Sequence, residues 1–293
     1  MSAATELASE FERLRPYLLR VAYSHLGSLG EAEDVVQEAW LRLERAGRAE
    51  IRDLRAWLTT VVARLAIDAL TSARARREHY VGTWLPEPLV ATGREEGDLA
   101  DRVTLDESVS MAFLVVLESM TPAERVAFIL HDVFGYPFAE IARIVGRTPA
   151  ACRQLASSGR RRVRAAHPPA APATARQAAI IRDFKNAWQA SDIAALIALL
   201  DPDAIVTADG GGLATAALHP IEGAEQIARY LNDLAARAPG LAILERTVNG
   251  QPGLIAQLSG ITVTVFAFEI AGNRISRIWA VRNPDKLRPW TTG

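Results

Sequence analysis

Apolar residues in the first 80 positions recur every three to four residues, which is the period of an α-helix. They predict three or four helices, three of which run over residues 5–26, 29–45 and 54–78. One face of the second helix gathers Val35, Val36, Ala39, Trp40 and Leu43. On the third helix we expect the inward face to hold Trp57, Leu58, Val61, Leu65 and Ala69. The first part of the chain is therefore expected to be all-α.

Residues 121–164 carry the pattern of a helix-turn-helix. Thr121 and Glu124 have the spacing of a capping box, and Pro122 suits the first position of the helix that they start. A short helix is expected over residues 138–145, and a second over 148–164. Gly146 permits the tight turn between them, and with Ala142 four residues earlier we expect it to let the two helices pack closely.

Arginine dominates the end of this motif. Residues 138–167 contain seven arginines and a single acid, Glu140. Such a cluster on a groove-reading element favours contact with DNA phosphates. The alternative is a solvated, arginine-rich helix in a small helical hairpin.

Residues 176–293 show a mixed pattern that predicts an α+β domain. Helices are expected over residues 178–190, 193–200 and 224–236, and strands over 242–248, 254–258, 261–270 and 274–281. Ser259-Gly260 and Ala271-Gly272-Asn273 indicate hairpin turns. Because apolar residues occupy both faces of the strand at 261–270, we expect helices to cover one face of the sheet and a cavity to adjoin the other.

Two segments without such periodicity divide the chain. Residues 81–107 contain helix breakers, and residues 87–107 hold seven acids against two arginines, which indicates an extended acidic linker. Within it the segment WLPEP, residues 84–88, carries a large aromatic side chain that we expect to dock on another part of the chain. Residues 168–175 form a Pro/Ala-rich linker. We therefore divide the chain into residues 1–80, 81–107, 108–167, 168–175 and 176–293.

The charge balance changes how the helix-turn-helix is interpreted. The 293 residues carry a net charge of −1, with 22 arginines against 23 acids in residues 1–167 and 11 basic against 11 acidic residues in 168–293. Neither part is basic overall, so strong, non-specific DNA binding by the chain alone is not expected. The composition favours DNA binding inside a larger assembly.

Other features bound the cellular setting. A single cysteine, Cys152, excludes an internal disulfide and fits a reducing cytoplasm. The sequence shows no signal peptide and no apolar run of membrane-spanning length, so we expect a cytoplasmic protein without membrane contact. It predicts no metal site and no cofactor.

Two helical units joined by a linker, the second a helix-turn-helix, resemble the sigma-70 family of transcription initiation factors, in the compact form of its extracytoplasmic-function (ECF) branch. EAEDVVQEAWLRL, residues 31–43, is similar to the family segment that docks on RNA polymerase core. The resemblance implies core-binding roles for Asp34, Gln37, Glu38 and Leu41. Exposed carboxylates and an amide on one side of a helix suit a basic partner. The alternative is a merely solvated acidic face.

The resemblance also assigns the two promoter elements. Residues 56–70 resemble the helix that reads and melts the −10 element, although Ala63 and Arg64 stand where many members carry an Arg-Asn pair. The implied −10 contacts are Arg52, Arg55, Trp57, Arg64, Arg74, Arg76 and Arg77. Residues 121–164 are similar to the reader of the −35 element in the major groove. The implied −35 contacts are Arg147, Thr148, Ala150, Arg153, Gln154, Ser157, Arg160 and Arg161.

Three further motifs resemble the ECF group that carries a SnoaL-like extension, an α+β cone of the cystatin/NTF2-like kind. They are WLPEP, DGGG and NPDKL, although Leu213 stands where a lysine is expected after DGGG. The resemblance implies regulatory or interdomain roles for Trp84, Leu85, Pro86, Glu87, Pro88, Asp209, Gly210, Gly211, Gly212, Asn283, Pro284, Asp285, Lys286 and Leu287. We expect Lys286, one of only two lysines, to find a partner such as Glu87. In that interpretation the cone controls the sigma factor in cis, without a separate anti-sigma factor.

Two other functions remain open for the third domain. SnoaL-type cones include cyclases, and Asp209 and His219 are candidates for a general base. The walls of such a pocket would be Trp188, Phe266, Phe268 and Trp279. Alternatively, Asp209 only begins a turn whose three glycines take positive φ angles. A ligand-sensing DNA regulator, with a small molecule in the cone, is the second alternative. We favour a non-enzymatic factor that binds RNA polymerase core and promoter DNA.

Overall fold

The computed structural model describes residues 3–47, 51–77, 80–90, 110–166 and 175–290. The chain forms two compact units: Met1–Glu78 with Phe113–Pro169, and His79–Ala112 with Ala170–Gly293. The first unit thus joins both helical regions, and the second joins the segment after the third helix to the α+β domain. The boundaries predicted for the linkers stay a prediction, and residues 91–107 lie outside the described part.

The first unit is all-α, as expected. Its helices are α1 (Ala3–Leu26), α2 (Leu29–Ala46), α3 (Leu54–Arg77), α4 (Met111–Leu117), α5 (Pro122–Phe128), α6 (Phe138–Val145) and α7 (Pro149–Ala166), with a π-helical turn, Ile129–Val133, directly after α5. Ser28 caps α2 by accepting a hydrogen bond from the Glu31 amide at 3.4 Å. Both hydrogen bonds of the predicted capping box between Thr121 and Glu124 are present at the start of α5.

The face of α3 that packs inward differs from the predicted one. Leu58 is buried as expected, but Trp57, Val61, Leu65 and Ala69 are only partly buried. The buried face instead carries Val62, Ala63, Ala66 and Leu70. Both sets have helical spacing. The buried face was not predicted because Ala63 and Ala66, which let a neighbouring helix pack closely, are only weakly hydrophobic.

Gly146 forms the predicted turn, but the close helix packing expected at Gly146 occurs at Gly159 instead. Gly146 adopts a left-handed conformation at φ 67° and ends α6, and a Cβ there would meet nothing within 4 Å. The closely packed glycine is Gly159 of α7, where a Cβ would lie 2.9 Å from the Phe128 Cβ. The turn requires Gly146, and the approach of α7 to α5 requires Gly159.

The second unit is an α+β cone, the expected fold class. Helices α8 (Ala175–Gln189), α9 (Ile193–Leu199) and α10 (Ala224–Arg237) pack on a six-stranded sheet. Its strands are β1 (Leu200–Asp209), β2 (Ile221–Glu222), β3 (Ala242–Val248), β4 (Gln251–Leu258), β5 (Ile261–Ala271) and β6 (Arg274–Val281). The order across the sheet is β2-β1-β6-β5-β4-β3, and β1 runs parallel to β6 while the other pairs are antiparallel.

Strand β1 was not predicted from the sequence. Pro202 and the acids Asp201 and Asp203 interrupt its first half, where the register with β6 is also irregular. Between Leu200 and Asp209, only Ala204, Val206 and Ala208 face the core with Leu200, and three of these four side chains are small. The omission matters for function because β1 ends at Asp209.

The predicted hairpins are confirmed, and the sheet has two buried faces. Ser259 and Gly260 both take positive φ between β4 and β5, and Gly272 does so between β5 and β6. Phe266 and Ala280 are cross-strand partners on the face that packs against the helices. The next pair along the ladder, Ala267 and Trp279, points to the opposite face by the alternation of a strand and is also buried.

Candidate functional site

The side chains assigned to polymerase docking share one exposed side of α2. Asp34, Gln37 and Leu41 are exposed, and Glu38 is half-buried beside Arg42, whose Nε donates to its Oε1 at 3.0 Å. Leu41 keeps 37% of its surface exposed among these polar side chains. Buried Val35, Val36, Ala39 and Leu43 anchor the opposite face. The arrangement suits a partner surface, and the individual contacts stay a prediction.

The −10 candidates lie in different settings. Arg52 and Arg55 are exposed near the start of α3, with the Arg55 guanidinium 4.1 Å from the centre of the Tyr17 ring. Trp57 is half-buried. Arg64 donates from Nη2 to the backbone carbonyl of Arg143 at 2.9 Å. The side chains of Arg74, Arg76 and Arg77 lie outside the described residues.

The −35 candidates lie mainly on the open side of the helix-turn-helix. Thr148 caps α7 by accepting from the Ala151 amide at 3.2 Å. Five candidates are exposed around this helix start: Arg147, Thr148, Ala150, Arg153 and Gln154. Ser157 is half-buried and Arg161 is exposed. Arg160 differs because its guanidinium is paired with Asp132 at 2.6 Å, so part of its charge is already neutralised.

Cys152, on the same helix, is fully buried, and burial raises the pKa of its thiol.

The regulatory motifs meet at one buried carboxylate, that of Asp209. Tyr80 donates its hydroxyl to Oδ1 at 2.6 Å, while the Leu85 amide and Lys286 Nζ donate to Oδ2 at 2.9 Å and 2.7 Å. Lys286 also donates to the Leu85 carbonyl at 2.5 Å, and Asn283 Nδ2 donates to the Tyr80 hydroxyl at 2.9 Å. We call these five residues the clasp. Burial, with the Asp209 carboxylate beside it, raises the pKa of Tyr80, so the phenol stays protonated and donates.

The predicted pairing of Lys286 with Glu87 is wrong. The ion pair of Lys286 is with Asp209, which is fully buried, and the lysine side chain is only 11% exposed. Its Nζ lies 4.0 Å from the centre of the Trp84 ring, a cation–π contact. Glu87 itself is buried rather than solvated. Lys286 and Glu87 are therefore both part of the interior.

The glycines of DGGG permit close approach of other residues, and Gly211 makes room for the clasp. Gly211 and Gly212 take the expected positive φ, of 61° and 73°, but Gly210 does not. A Cβ on Gly211 would lie 2.3 Å from Asn283 Nδ2, and one on Gly210 would lie 2.2 Å from the Ala214 carbonyl oxygen. The motif is therefore required by close approach as well as by turn geometry. Leu213, where a lysine was expected, is 64% exposed.

Residues 80–90, which we call the strap, continue along the domain beyond the clasp. Leu89 and Asn249 are joined reciprocally: the Leu89 amide donates to Asn249 Oδ1, and the Asn249 amide donates to the Leu89 carbonyl, both at 3.0 Å. Trp290 donates from Nε1 to the Pro88 carbonyl at 2.9 Å. Leu85 and Leu89 are each 2% exposed, which confirms that the WLPEP segment docks.

Sequence reasoning missed three members of this site. Tyr80, Asn249 and Trp290 were not singled out, although each has a signal. Asn249-Gly250 is a hairpin dipeptide directly after a strand, and Trp290 is a large aromatic near the end of the chain. Tyr80 is an aromatic residue at the start of the strap, four residues before Trp84.

The catalytic candidates do not form one pocket. Trp188 packs edge-on against Phe266 with ring centres 5.4 Å apart, and Phe184 does so against Phe268 at 5.6 Å, all in the core under the helices. Trp279 faces the other side of the sheet. His219 is exposed, whereas Asp209 is fully buried and bonded to three donors. The arrangement predicted for a cyclase is therefore not the one that the fold provides.

Two further findings concern the described residues. No group of three His, Cys, Asp or Glu side chains among them is arranged to hold a metal ion. Across the same ranges, every helix is too short or too polar to cross a bilayer.

Comparisons with known proteins identify the two helical regions. The family model for sigma-70 region 2 matches residues 11–76, and that for sigma-70 region 4 matches residues 110–163. These are the two helical regions of the first unit, so the fold and its two regions define a sigma factor.

Full-length relatives specify the branch. The chain is 42% identical to the ECF RNA polymerase sigma factor SigJ of Mycobacterium tuberculosis, over 95% of this chain and 92% of that protein. It is 33% identical to the probable ECF RNA polymerase sigma factor SigI of the same organism, over 99% and 97%. The crystal structure of SigJ matches with a TM-score of 0.80 and 38% identity, covering 96% of this chain and 98% of that one. The chain belongs to the ECF sigma factors, and the predicted function, promoter-specific initiation of transcription with RNA polymerase, is confirmed.

Proposed function

We propose that the C-terminal domain controls this sigma factor in cis by binding the strap that directly follows α3. The observation that carries the proposal is the buried Lys286–Asp209 pair, whose two members also bond the carbonyl and the amide of Leu85. The clasp thereby fixes the chain just beyond the helix assigned to the −10 element. A domain that holds this segment limits where the two promoter-reading regions can go.

The energetics favour a defined clasp over a loose association. Burying a charge is costly unless it is paired and hydrogen-bonded, and both conditions are met at Asp209. Removing one partner of such a pair typically costs about 3–5 kcal/mol, because the other charge is left uncompensated. The clasp is therefore expected to be either closed or lost as a whole.

Three helices of the two sigma regions have proposed roles. The exposed side of α2 docks on RNA polymerase core through Asp34, Gln37, Glu38 and Leu41. The start and middle of α3 bind the −10 element, and the start of α7 reads −35 base edges with the following arginines on phosphates. This work takes place in the cytoplasm, where polymerase and promoter DNA are.

We further propose that the cone performs no catalysis and replaces a separate anti-sigma factor. The Asp209 carboxylate is already bonded by Tyr80, Leu85 and Lys286, so it is poorly placed to remove a proton from a substrate. Two of its three donors, Tyr80 and the Leu85 amide, come from the segment that the domain would regulate. A controller built into the chain fits this connection without a second protein.

Run-off transcription with purified core polymerase tests the control. Two variants break the clasp: deletion of residues 283–293 and Lys286→Met. Each should change transcript yield several-fold at saturating core, because the strap is released while the polymerase-docking side of α2 stays intact. Lys185→Met is the matched control, since Lys185, the other lysine, pairs with the partly exposed Glu245 outside the clasp. Unchanged yield from both clasp variants would refute control in cis.

The double variant Lys286→Met with Asp209→Asn separates loss of control from loss of folding. It removes both charges together, so it should recover much of the stability that Lys286→Met alone loses. Transcription should remain altered, because a methionine cannot bond the Leu85 carbonyl.

A further inference from the structure

Two rings and a guanidinium of the helix-turn-helix lie together beside the start of α7. The Phe138 ring, at the first position of α6, stacks on the His131 imidazole with ring centres 3.9 Å apart and an angle of 29° between the planes. The Arg153 guanidinium of α7 lies 5.5 Å from the centre of the same phenylalanine ring. We call these three side chains the stack, and they connect the π-helical turn, α6 and α7.

The π-helical turn holds His131 in a defined orientation. The imidazole Nδ1 donates to the Tyr136 carbonyl at 3.0 Å, so a hydrogen bond fixes the ring that lies against Phe138. π-helical turns are rare and are found frequently at functional sites. The position of this one, Ile129–Val133, lets its histidine reach the first residue of the next helix.

A second contact ties the same turn to α7. Asp132, the residue after His131, accepts a hydrogen bond from Arg160 Nε at 2.8 Å. Arg153 and Arg160 are seven residues apart, which is about two turns of an α-helix, so they lie on one side of α7. The π-helical turn is thus linked to that side at two points, directly through Asp132 and indirectly through Phe138. This double link fixes where the stack lies relative to the start of α7.

Phe138 contacts both the interior and the exposed reader side chain. Its ring is half-buried and packs against the buried cluster that contains Ile141 and Cys152. Arg153, by contrast, is exposed, and an exposed arginine has many accessible rotamers. An aromatic ring attracts a guanidinium through its quadrupole. The ring, itself held by the core and by His131, therefore narrows the range of positions that the Arg153 guanidinium takes.

The orientation of a guanidinium matters for reading a base pair. An arginine in the major groove most often recognises guanine, by donating to O6 and N7 together. Both bonds form only when the planar guanidinium has the correct orientation, and ordering a flexible side chain on binding weakens the affinity. A ring that orders Arg153 before DNA arrives removes part of this loss.

We propose that Phe138, supported by His131, is a positioning residue that orients Arg153 to read a guanine of the −35 element. The inference rests on the proposed role of the start of α7 in reading that element. Phe138 acts through Arg153, so it governs the preference at the base pair that Arg153 reads. Preferences at the other base pairs do not depend on it.

The base preferences of RNA polymerase carrying the full chain test this role. Core polymerase with the native chain or a variant selects from duplex DNA of random sequence, and the bound molecules are sequenced. Arg153→Ala should lower the guanine preference at one −35 position about fivefold or more. Phe138→Leu should lower the preference at that same position about twofold to tenfold, because the guanidinium is no longer ordered before binding. His131→Leu should lower it less.

Three further variants separate positioning from folding. Phe138→Tyr keeps the aromatic ring and should keep the native preference. Phe113→Leu should also keep it, since this half-buried phenylalanine of α4 packs on Phe128 and controls for lost packing in the same region. The double variant Phe138→Leu with Arg153→Ala should lose no more preference at that position than Arg153→Ala alone, because both changes act through one guanidinium.

The outcomes distinguish the positioning role from the function on which it rests. Base preferences unchanged by Arg153→Ala would refute the proposed role of Arg153 at the −35 element. If Arg153→Ala alters one position while Phe138→Leu weakens binding to all sequences equally, promoter reading stands and the positioning role is refuted. A loss in Phe138→Leu that is confined to the position of Arg153 and absent from Phe138→Tyr supports the proposal.

Discussion

At the scale of single residues, His25 is the group whose protonation the fold opposes most clearly. Its side chain is fully buried, and burial, with the Arg125 guanidinium nearby, lowers its pKa to about 4. Nδ1 lies 2.6 Å from the Val21 carbonyl, so this nitrogen carries the proton and donates it. Nε2 is buried without a hydrogen-bond partner in the described part of the chain. A second proton would therefore place an unpaired charge in the interior.

This histidine should make the first unit sensitive to mild acid. In the unfolded chain, His25 takes up a proton at its ordinary pKa of 6.5. In the folded chain it does so only when the pH reaches about 4. The stability that neutral His25 contributes is complete above pH 6.5 and is lost as the pH falls towards 4. At pH 5 the loss is about 2 kcal/mol.

Urea unfolding at about pH 7.5 and about pH 5 measures this loss. His25→Gln keeps a donor for the Val21 carbonyl but cannot be protonated, so it should lose less stability on acidification than the native chain. His219→Gln, at an exposed position, should behave like the native chain. Equal acid losses in the native chain and His25→Gln would contradict the prediction.

Single residues also show where the sequence was informative. The exposed side of α2 and the exposed start of α7 could be predicted from helical spacing, because the apolar face of each helix packs inward and leaves the polar face to solvent. The partner of Lys286 did not follow, since Glu87 and Asp209 were both available acids. The choice between them depends on β1, which ends at Asp209. Pro202 and its neighbouring acids prevented that strand from being predicted.

At the scale of elements, the loop after β1 and the β5–β6 hairpin allow a controlled comparison. Gly211 and Gly272 have almost the same backbone angle, φ 61° and 62°. A Cβ on Gly211 meets Asn283 and Tyr80, whereas one on Gly272 meets nothing within 4 Å. Alanine at either position therefore adds the same backbone strain, but only Gly211→Ala adds a collision with the clasp.

We expect Gly211→Ala to open the clasp and Gly272→Ala to leave it closed. Each should lose about 1 kcal/mol of stability from the positive φ angle, with a further loss in Gly211→Ala alone. Limited proteolysis within residues 80–90 reports the state of the strap: cleavage should accelerate several-fold for Gly211→Ala. Equal cleavage of the two variants would show that the clasp tolerates the methyl group.

Helix α3 and the sheet show why elements are easier to predict than their contacts. The hairpins at Ser259-Gly260 and Gly272-Asn273 followed from local turn chemistry, which is complete within a few residues. The buried face of α3 did not, because Ala63 is buried against helices more than 60 residues later in the sequence. Likewise, distant segments of the chain determine what covers the two apolar faces of β5.

At the scale of the whole molecule, the near-neutral charge should make DNA binding depend on polymerase. We expect the free chain to bind random duplex DNA with a Kd no tighter than about 10⁻⁵ M at physiological salt. Arg161→Ala should reduce the slope of log affinity against log salt by about 0.9, whereas Arg160→Ala should reduce it less, because Asp132 already neutralises that guanidinium. Fluorescence anisotropy over a salt series measures both slopes, and equal slopes would argue against the asymmetry.

The span of the clasp along the chain has a consequence for synthesis. Lys286 bonds a carbonyl 201 residues earlier. At about 5–20 residues per second, a ribosome needs roughly 10–40 s to add the lysine after it has made the strap. During that interval Leu85 and Leu89 have been synthesised, but the segment that completes their burial has not. A prematurely terminated chain would therefore carry both promoter-reading regions and lack their control, so only a nearly finished polypeptide is a regulated one.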